Sequence, residues 1–162
     1  SASCTFCEIA CSSTSTLLLH QDDRVVAFQD INPSAFSRHY LVIPIKHIPS
    51  VKNLEKSPED FSLGMKKTLN WDASRLIFFF FFVFFMMSHM LNVGESLLQK
   101  DAPDADRYRL GFHQPPLYSV DHLHLHCLAL PYTPRWRAVK YLSLGPFGGF
   151  IEASQLLKKL QP

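Results

Sequence analysis

Asp121-His122-Leu123-His124-Leu125-His126-Cys127-Leu128 alternates with period two. In a β-strand successive side chains point to opposite faces, so this spacing puts His122, His124 and His126 on one face and Leu123, Leu125 and Cys127 on the other. The apolar face reads as core and the imidazole face as a site. The plain alternative is three exposed histidines on a half-buried strand. A zinc site is a second alternative, since two imidazoles at i and i+2 can share a metal. Three on one strand are harder to bring to one ion, because the outer pair has backbones roughly 13 Å apart at about 3.3 Å per residue. A row of imidazoles suits attack on phosphorus, proton delivery and phosphate binding, because imidazole titrates near neutrality and can be either a nucleophile or a donor.

Outward from this stretch the chain reads as one domain. Its 162 residues are 47% hydrophobic and 19% charged, which excludes a disordered chain, and no internal repeat is visible. A net charge of +2 is too mild for a nucleic-acid footprint or a membrane-surface protein. No basic segment followed by an apolar one opens the chain, and cysteines 4, 7, 11 and 127 make a poor disulfide framework. A reducing compartment, cytoplasmic or nuclear, is the expectation.

Residues 4–11 suit a short helix, with Phe6, Ile9 and Ala10 near one face. Residues 16–20 and 24–28 read as a hairpin around Gln21-Asp22-Asp23, residues 39–44 as a strand closed by Pro44, and residues 107–112 as another. Residues 119–130 form the last strand. The tail holds a turn at Gly145-Pro146-Phe147-Gly148-Gly149 and a helix over residues 152–160.

Between them, residues 57–100 read as helical, opened by Ser57-Pro58-Glu59-Asp60. Twelve consecutive apolar residues, LIFFFFFVFFMM over 76–87, interrupt this stretch and are too few for a membrane span of about 20. With residues 71–88 skipped, Phe61, Met65, Leu69, Met90, Gly94 and Leu97 fall on one helical stripe. The segment is therefore expected to be an insertion into the ancestral fold, such as a translated intron rich in phenylalanine codons. The alternative is a buried hydrophobic helix.

A nucleotide pocket is suggested by Phe28 followed by Asp30-Ile31: a carboxylate can hold a ribose diol while apolar side chains flank a base. Ser119 lies three residues before His122, within reach of a phosphate or leaving group.

His-Leu-His-Leu-His-Cys-Leu resembles the signature of the histidine-triad superfamily. The blocks starting at Cys4 (Cys-Thr-Phe-Cys-Glu-Ile-Ala), at Gln21 (through Asp30-Ile31-Asn32-Pro33) and at His39 (through His47) resemble its other blocks in order. Gly111-Phe-His-Gln-Pro-Pro-Leu-Tyr-Ser-Val resembles the third branch of the histidine-triad nucleotide-binding proteins. The likeness spans residues 4–70 and 89–130.

The resemblance implies an α+β fold, with an antiparallel sheet of about five strands, one long helix and a short N-terminal helix. It implies a homodimer whose sheet continues across two subunits. His124 would be the nucleophile of a nucleotidyl-histidine intermediate. His122 and His126 would orient it and touch phosphate beside His39, and Ser119 would assist the leaving group. Phe6, Ile9, Phe28, Asp30 and Ile31 would hold base and ribose. Gly111 stands about where related enzymes carry an asparagine. The chemistry would need no cofactor, and Cys4, Cys7, His47 and His122 would hold a structural zinc. The implied reaction is hydrolysis of adenosine 5′-phosphoramidates to AMP, with a purine nucleotide as the partner and neither nucleic acid nor membrane. Alternatives are dinucleoside polyphosphate hydrolysis, nucleotidyl transfer, or nucleotide binding and scaffolding without turnover.

Overall fold

The computed structural model describes residues 4–49, 72–114 and 119–161. Helix α1 (Thr5–Ala10) buries Phe6, Ile9 and Ala10, the face expected from their spacing. Strands β1 (Leu18–Gln21) and β2 (Val25–Gln29) form the hairpin, and β3 (Arg38–Pro44) follows. Asp22 shapes the hairpin turn, its Oδ1 accepting from the backbone N–H groups of Arg24 and Val25 at 2.8 Å each.

Helix α2 (Ala73–Asp101) is next, then β4 (Arg107–His113), β5 (Leu125–Leu130), a 3₁₀ helix (Arg135–Tyr141), β6 (Phe150–Glu152) and α3 (Ala153–Leu160). Among the described residues the sheet has six strands in the order β1-β2-β3-β5-β4-β6, all antiparallel, one more than expected. The extra strand, β6, covers the outer edge of β4 with the register Gly111↔Glu152, Phe112↔Ile151 and His113↔Phe150.

The last strand is shorter than residues 119–130. Its ladder with β3 ends at Val42↔Leu125. Two residues on, Pro44 has no N–H to donate, and Leu123 N–H bonds the Ile48 carbonyl instead, at 2.7 Å. His122 and His124 thus precede the ladder, but the alternation holds: Leu123, Leu125, Cys127 and Ala129 enter the core under α2, and Leu128 and Leu130 the opposite one.

The apolar run is helical and joins residues 88–101 without a break. Asp72 caps α2, its side chain accepting from Arg75 N–H at 2.9 Å. The Ser57-Pro58 start and the stripe residues Phe61, Met65 and Leu69 lie outside the described residues. Within α2, Val83, Met86, Met87, Met90, Val93, Leu97 and Leu98 form a buried stripe of three- and four-residue steps. The second half of the run therefore lies on the same buried stripe as Met90 and Leu97. Ile77, Phe78, Phe81 and Phe85 face outward. Because the helix extends past the run, Ile77–Asp101 has the length and hydropathy to cross a membrane, while its buried stripe packs on the sheet. At Gly94 the helix comes so close that a Cβ would lie 2.5 Å from Cys127 Sγ. Tyr40 OH on β3 donates to Asp101 at 2.8 Å, tying the end of α2 to the sheet.

Candidate active site

The sheet face opposite α2 carries the histidines. His122, His124 and His126 are all buried, as is His39 on β3. Hydrogen-bond partners of fixed sense assign each ring its tautomer. His124 Nδ1 meets the His122 backbone carbonyl at 2.7 Å, and a carbonyl only accepts. The proton therefore sits on Nδ1, leaving the Nε2 lone pair of His124 free. His122 Nε2–H donates to the Pro44 carbonyl at 3.0 Å, so its Nδ1 lone pair points the other way, 3.4 Å from Cys4 Sγ and 3.5 Å from Cys7 Sγ.

His39 Nδ1 accepts from Ser34 N–H at 3.0 Å, and its Nε2 lies 3.0 Å from His126 Nδ1. His126 Nε2 lies 3.0 Å from Nδ1 of His113 on β4, a residue that the sequence reading left out. Its signal was available: β4 alternates too, and Gly111 pairs with His126, so His113 shares the face of the triad.

Desolvation dominates the electrostatics. Burial holds His39 and His113 down at about 4, His122 and His124 below the ordinary value, and His126 well below it. The row is neutral at pH 7, as a nucleophilic imidazole must be. The same shifts make stability depend on pH. Between pH 6.5 and about 4 the unfolded chain binds protons at these positions and the folded one does not. Stability is therefore full above 6.5 and falls as pH drops towards 4, by ~3 kcal/mol for His113 alone. Urea midpoints measured across this window should decline steadily with acid; a flat profile would contradict the neutral row.

Phe6 packs beside His124, its ring 5.2 Å from that of His124 and 5.9 Å from that of Phe28. Ile9 joins the same cluster with Val26, Leu41 and Ile43. Asp30 is adjacent, with Oδ1 accepting from Asn32 N–H at 2.8 Å and Oδ2 3.4 Å from His39 Nε2. Ile31 is not brought in; at 99% exposed it points to solvent, because the Asx turn at Asp30 swings the next residue outward. Ser119 is exposed, in the bend leading to His122.

Cys4, Cys7, His47 and His122 converge, with their four ligand atoms all within 4.8 Å of one another. Cys7 Sγ lies 3.3 Å from His47 Nδ1. Two thiols and two imidazole nitrogens are a donor set for tetrahedral zinc, and the Pro44 carbonyl fixes the His122 tautomer that such a site requires.

Comparison with known proteins agrees with this geometry. The family described as "Scavenger mRNA decapping enzyme C-term binding" matches residues 3–70 and 84–141, leaving 71–83 between the two matched stretches. The chain is similar to the Arabidopsis thaliana bifunctional adenosine 5′-phosphosulfate phosphorylase/adenylylsulfatase HINT4, at 55% identity over 98% of this chain and 92% of that protein. It is 39% identical to the Xenopus tropicalis adenosine 5′-monophosphoramidase HINT3, over 98% of this chain and 88% of that one. Among solved structures, a HIT family hydrolase from Legionella pneumophila superposes with a TM-score of 0.52 at 28% identity, covering 78% of this chain and 91% of the other. A histidine triad protein from Clostridium difficile superposes with a TM-score of 0.53 at 25% identity, covering 81% and 93%. With the triad, the sheet and the long helix in place, the chain belongs to the histidine-triad (HIT) family of hydrolases.

Proposed function

We propose that this chain transfers the adenylyl group of an adenosine 5′-phosphate derivative to His124 and then to water, releasing AMP. The observation that carries this reading is the fixed tautomer of His124, which leaves a free Nε2 lone pair in a buried, neutral row of imidazoles. Nε2 attacks the α-phosphorus, a nitrogen–phosphorus bond forms, and the bond to the leaving group breaks with its electron pair. Water then attacks the adduct, giving AMP and a proton and returning the imidazole. Phosphate in place of water would give ADP. Phe6, Ile9 and Phe28 would flank the base and Asp30 the ribose; Ser119 would reach the leaving group from the bend.

Two leaving groups compete. An amine must be protonated as it departs, whereas sulfate leaves as a stable anion with no proton. A row of imidazoles held neutral by burial favours sulfate, and so does the 55% relative named for adenosine 5′-phosphosulfate. The phosphoramidate expected from the sequence is the second reading, supported by the 39% relative. AMP release from both compounds decides. A higher kcat/KM for phosphosulfate supports the first reading, and the reverse order supports the second. Nucleotide binding without AMP from either contradicts catalysis and leaves the scaffolding alternative.

Cys4, Cys7, His47 and His122 are proposed to hold zinc, which would clamp α1 and the segment after β3 to the segment that carries His122 and His124 into β5. A strong chelator should then lower Tm by about 10 °C, with the loss restored by added zinc. An unchanged Tm together with no zinc by elemental analysis would contradict this assignment. The homodimer is part of the same proposal; its sheet would join at an edge other than the β4 segment that β6 covers.

A further inference from the structure

Three buried imidazoles lie in a row whose two ends are backbone groups of opposite and unchangeable sense. At one end Ser34 N–H can only donate, and it meets His39 Nδ1 at 3.0 Å. At the other end the Lys140 carbonyl can only accept, and it meets His113 Nε2 at 2.8 Å. Between them His39 Nε2 to His126 Nδ1 and His126 Nε2 to His113 Nδ1 are both 3.0 Å. Only one arrangement of protons satisfies all four contacts. His39 carries its proton on Nε2 and donates to His126, which does the same to His113, which does the same to Lys140. Moving the proton of His126 to Nδ1 would set two N–H groups against each other at His39 and two lone pairs against each other at His113.

The receiving end is built by the C-terminal segment. Lys140 lies in the 3₁₀ helix Arg135–Tyr141, and Arg109 of β4 holds that helix by donating to the Tyr141 carbonyl at 3.0 Å and to Tyr132 OH at 2.7 Å. The same guanidinium pairs with Glu152 of β6 at 2.6 Å. The His113 ring sits between Tyr141 and Phe150, with centroids 5.0 and 5.4 Å away.

We propose that His113 is a positioning residue of this enzyme: it receives the Nε2 proton of His126 and, through the Lys140 carbonyl, lets the C-terminal segment dictate the tautomer and orientation of the third triad histidine. The role rests on the reading of His124 as nucleophile, since it matters because the His126 ring lies 5.1 Å from that of His124. With the proton pinned, the group presented beside the reacting phosphorus is always a neutral imidazole of one orientation. Without His113, His126 Nε2–H loses a buried acceptor, and only the His39 contact still holds its ring and tautomer.

The test separates this role from general packing and from the identity of the substrate. Nitrogen-15 NMR of the histidine side chains should show His126 in the wild type with a protonated Nε2 and an unprotonated Nδ1, with or without turnover. His113→Phe keeps the ring volume and removes the acceptor. It should give a mixed His126 tautomer and lower kcat about tenfold or more, with KM changed far less. His113→Asn places an amide oxygen where Nδ1 stood and should restore both the His126 signal and most of kcat. A wild-type spectrum with the proton on His126 Nδ1 would overturn the proposal whether or not the variants fold. So would a His113→Phe protein with unchanged tautomer and kcat, or an Asn variant as impaired as Phe. A wild-type tautomer as stated, in a protein that turns over neither adenosine compound, would instead count against the proposed reaction.

Discussion

His124→Ala is expected to lower AMP release by at least about 10⁴-fold, with the protein still folded and still binding nucleotide. The size follows from what is lost: alanine removes the group proposed to form the bond to phosphorus, and with it the covalent path. The neighbouring imidazoles do not substitute. His126 has both nitrogens engaged, by His39 and His113, and the His122 lone pair faces two thiols on the far side. Circular dichroism and nucleotide titration of the variant separate this loss from misfolding. A residual rate within about tenfold of the wild type would mean that another group attacks.

Gly111→Val carries the second largest effect, and it acts on the architecture around the site. Gly111 pairs with His126 on one side and Glu152 on the other. A Cβ there would run into the Ile151 carbonyl oxygen and lie 2.6 Å from the Phe150 ring. Backbone on the facing strand cannot give way as a flexible side chain can, so β6 must separate from β4 or the sheet must distort. Overpacking of this kind destabilises by typically ~1–3 kcal/mol, and loss of the β6 contacts adds to it. The expected result is a lower urea midpoint together with protease sensitivity appearing first in residues after β5. Because the C-terminal segment holds the Lys140 carbonyl, kcat should fall in parallel. A variant as stable and as protease-resistant as the wild type would show that β6 does not pack as described.

Most of the sheet was legible because β2, β3 and β5 alternate or are closed by turn residues, and because the three histidines identify their own strand. The strand β6 was not legible: three residues, Phe150–Glu152, give no period to read. The start of β5 was placed too early because side-chain alternation continues past the point where Pro44 ends the hydrogen-bond ladder. The packing of the apolar run is illegible for a different reason. Its phenylalanines all look alike in sequence, yet Val83, Met86 and Met87 continue the buried stripe while Phe78, Phe81 and Phe85 face outward. Which of twelve apolar residues is buried depends on the rotation of α2 over the sheet, and composition does not carry that information.

At the site, the triad, His39, Phe6, Ile9, Phe28, Asp30 and the Cys4–Cys7–His47–His122 cluster come together as read from the sequence and its resemblance. Ile31 does not, because an Asx turn sets the direction of the next side chain independently of its hydrophobicity. His113 lies one residue beyond the strand expected over residues 107–112, because β4 runs on to it. Its partner Lys140 contributes only a backbone carbonyl, which any residue could supply, so no side-chain pattern announces it.

The proposed reaction requires a covalent bond between His124 and the α-phosphorus. The most direct measurement is to mix the protein with substrate labelled at the α-phosphate, quench within a single turnover, and map the label by peptide. Label is expected on the peptide carrying His124, stable in alkali and released by acid as a phosphorus–nitrogen bond should be, and none in His124→Ala. AMP formed in a single turnover with no labelled protein, or label persisting in His124→Ala, would contradict it.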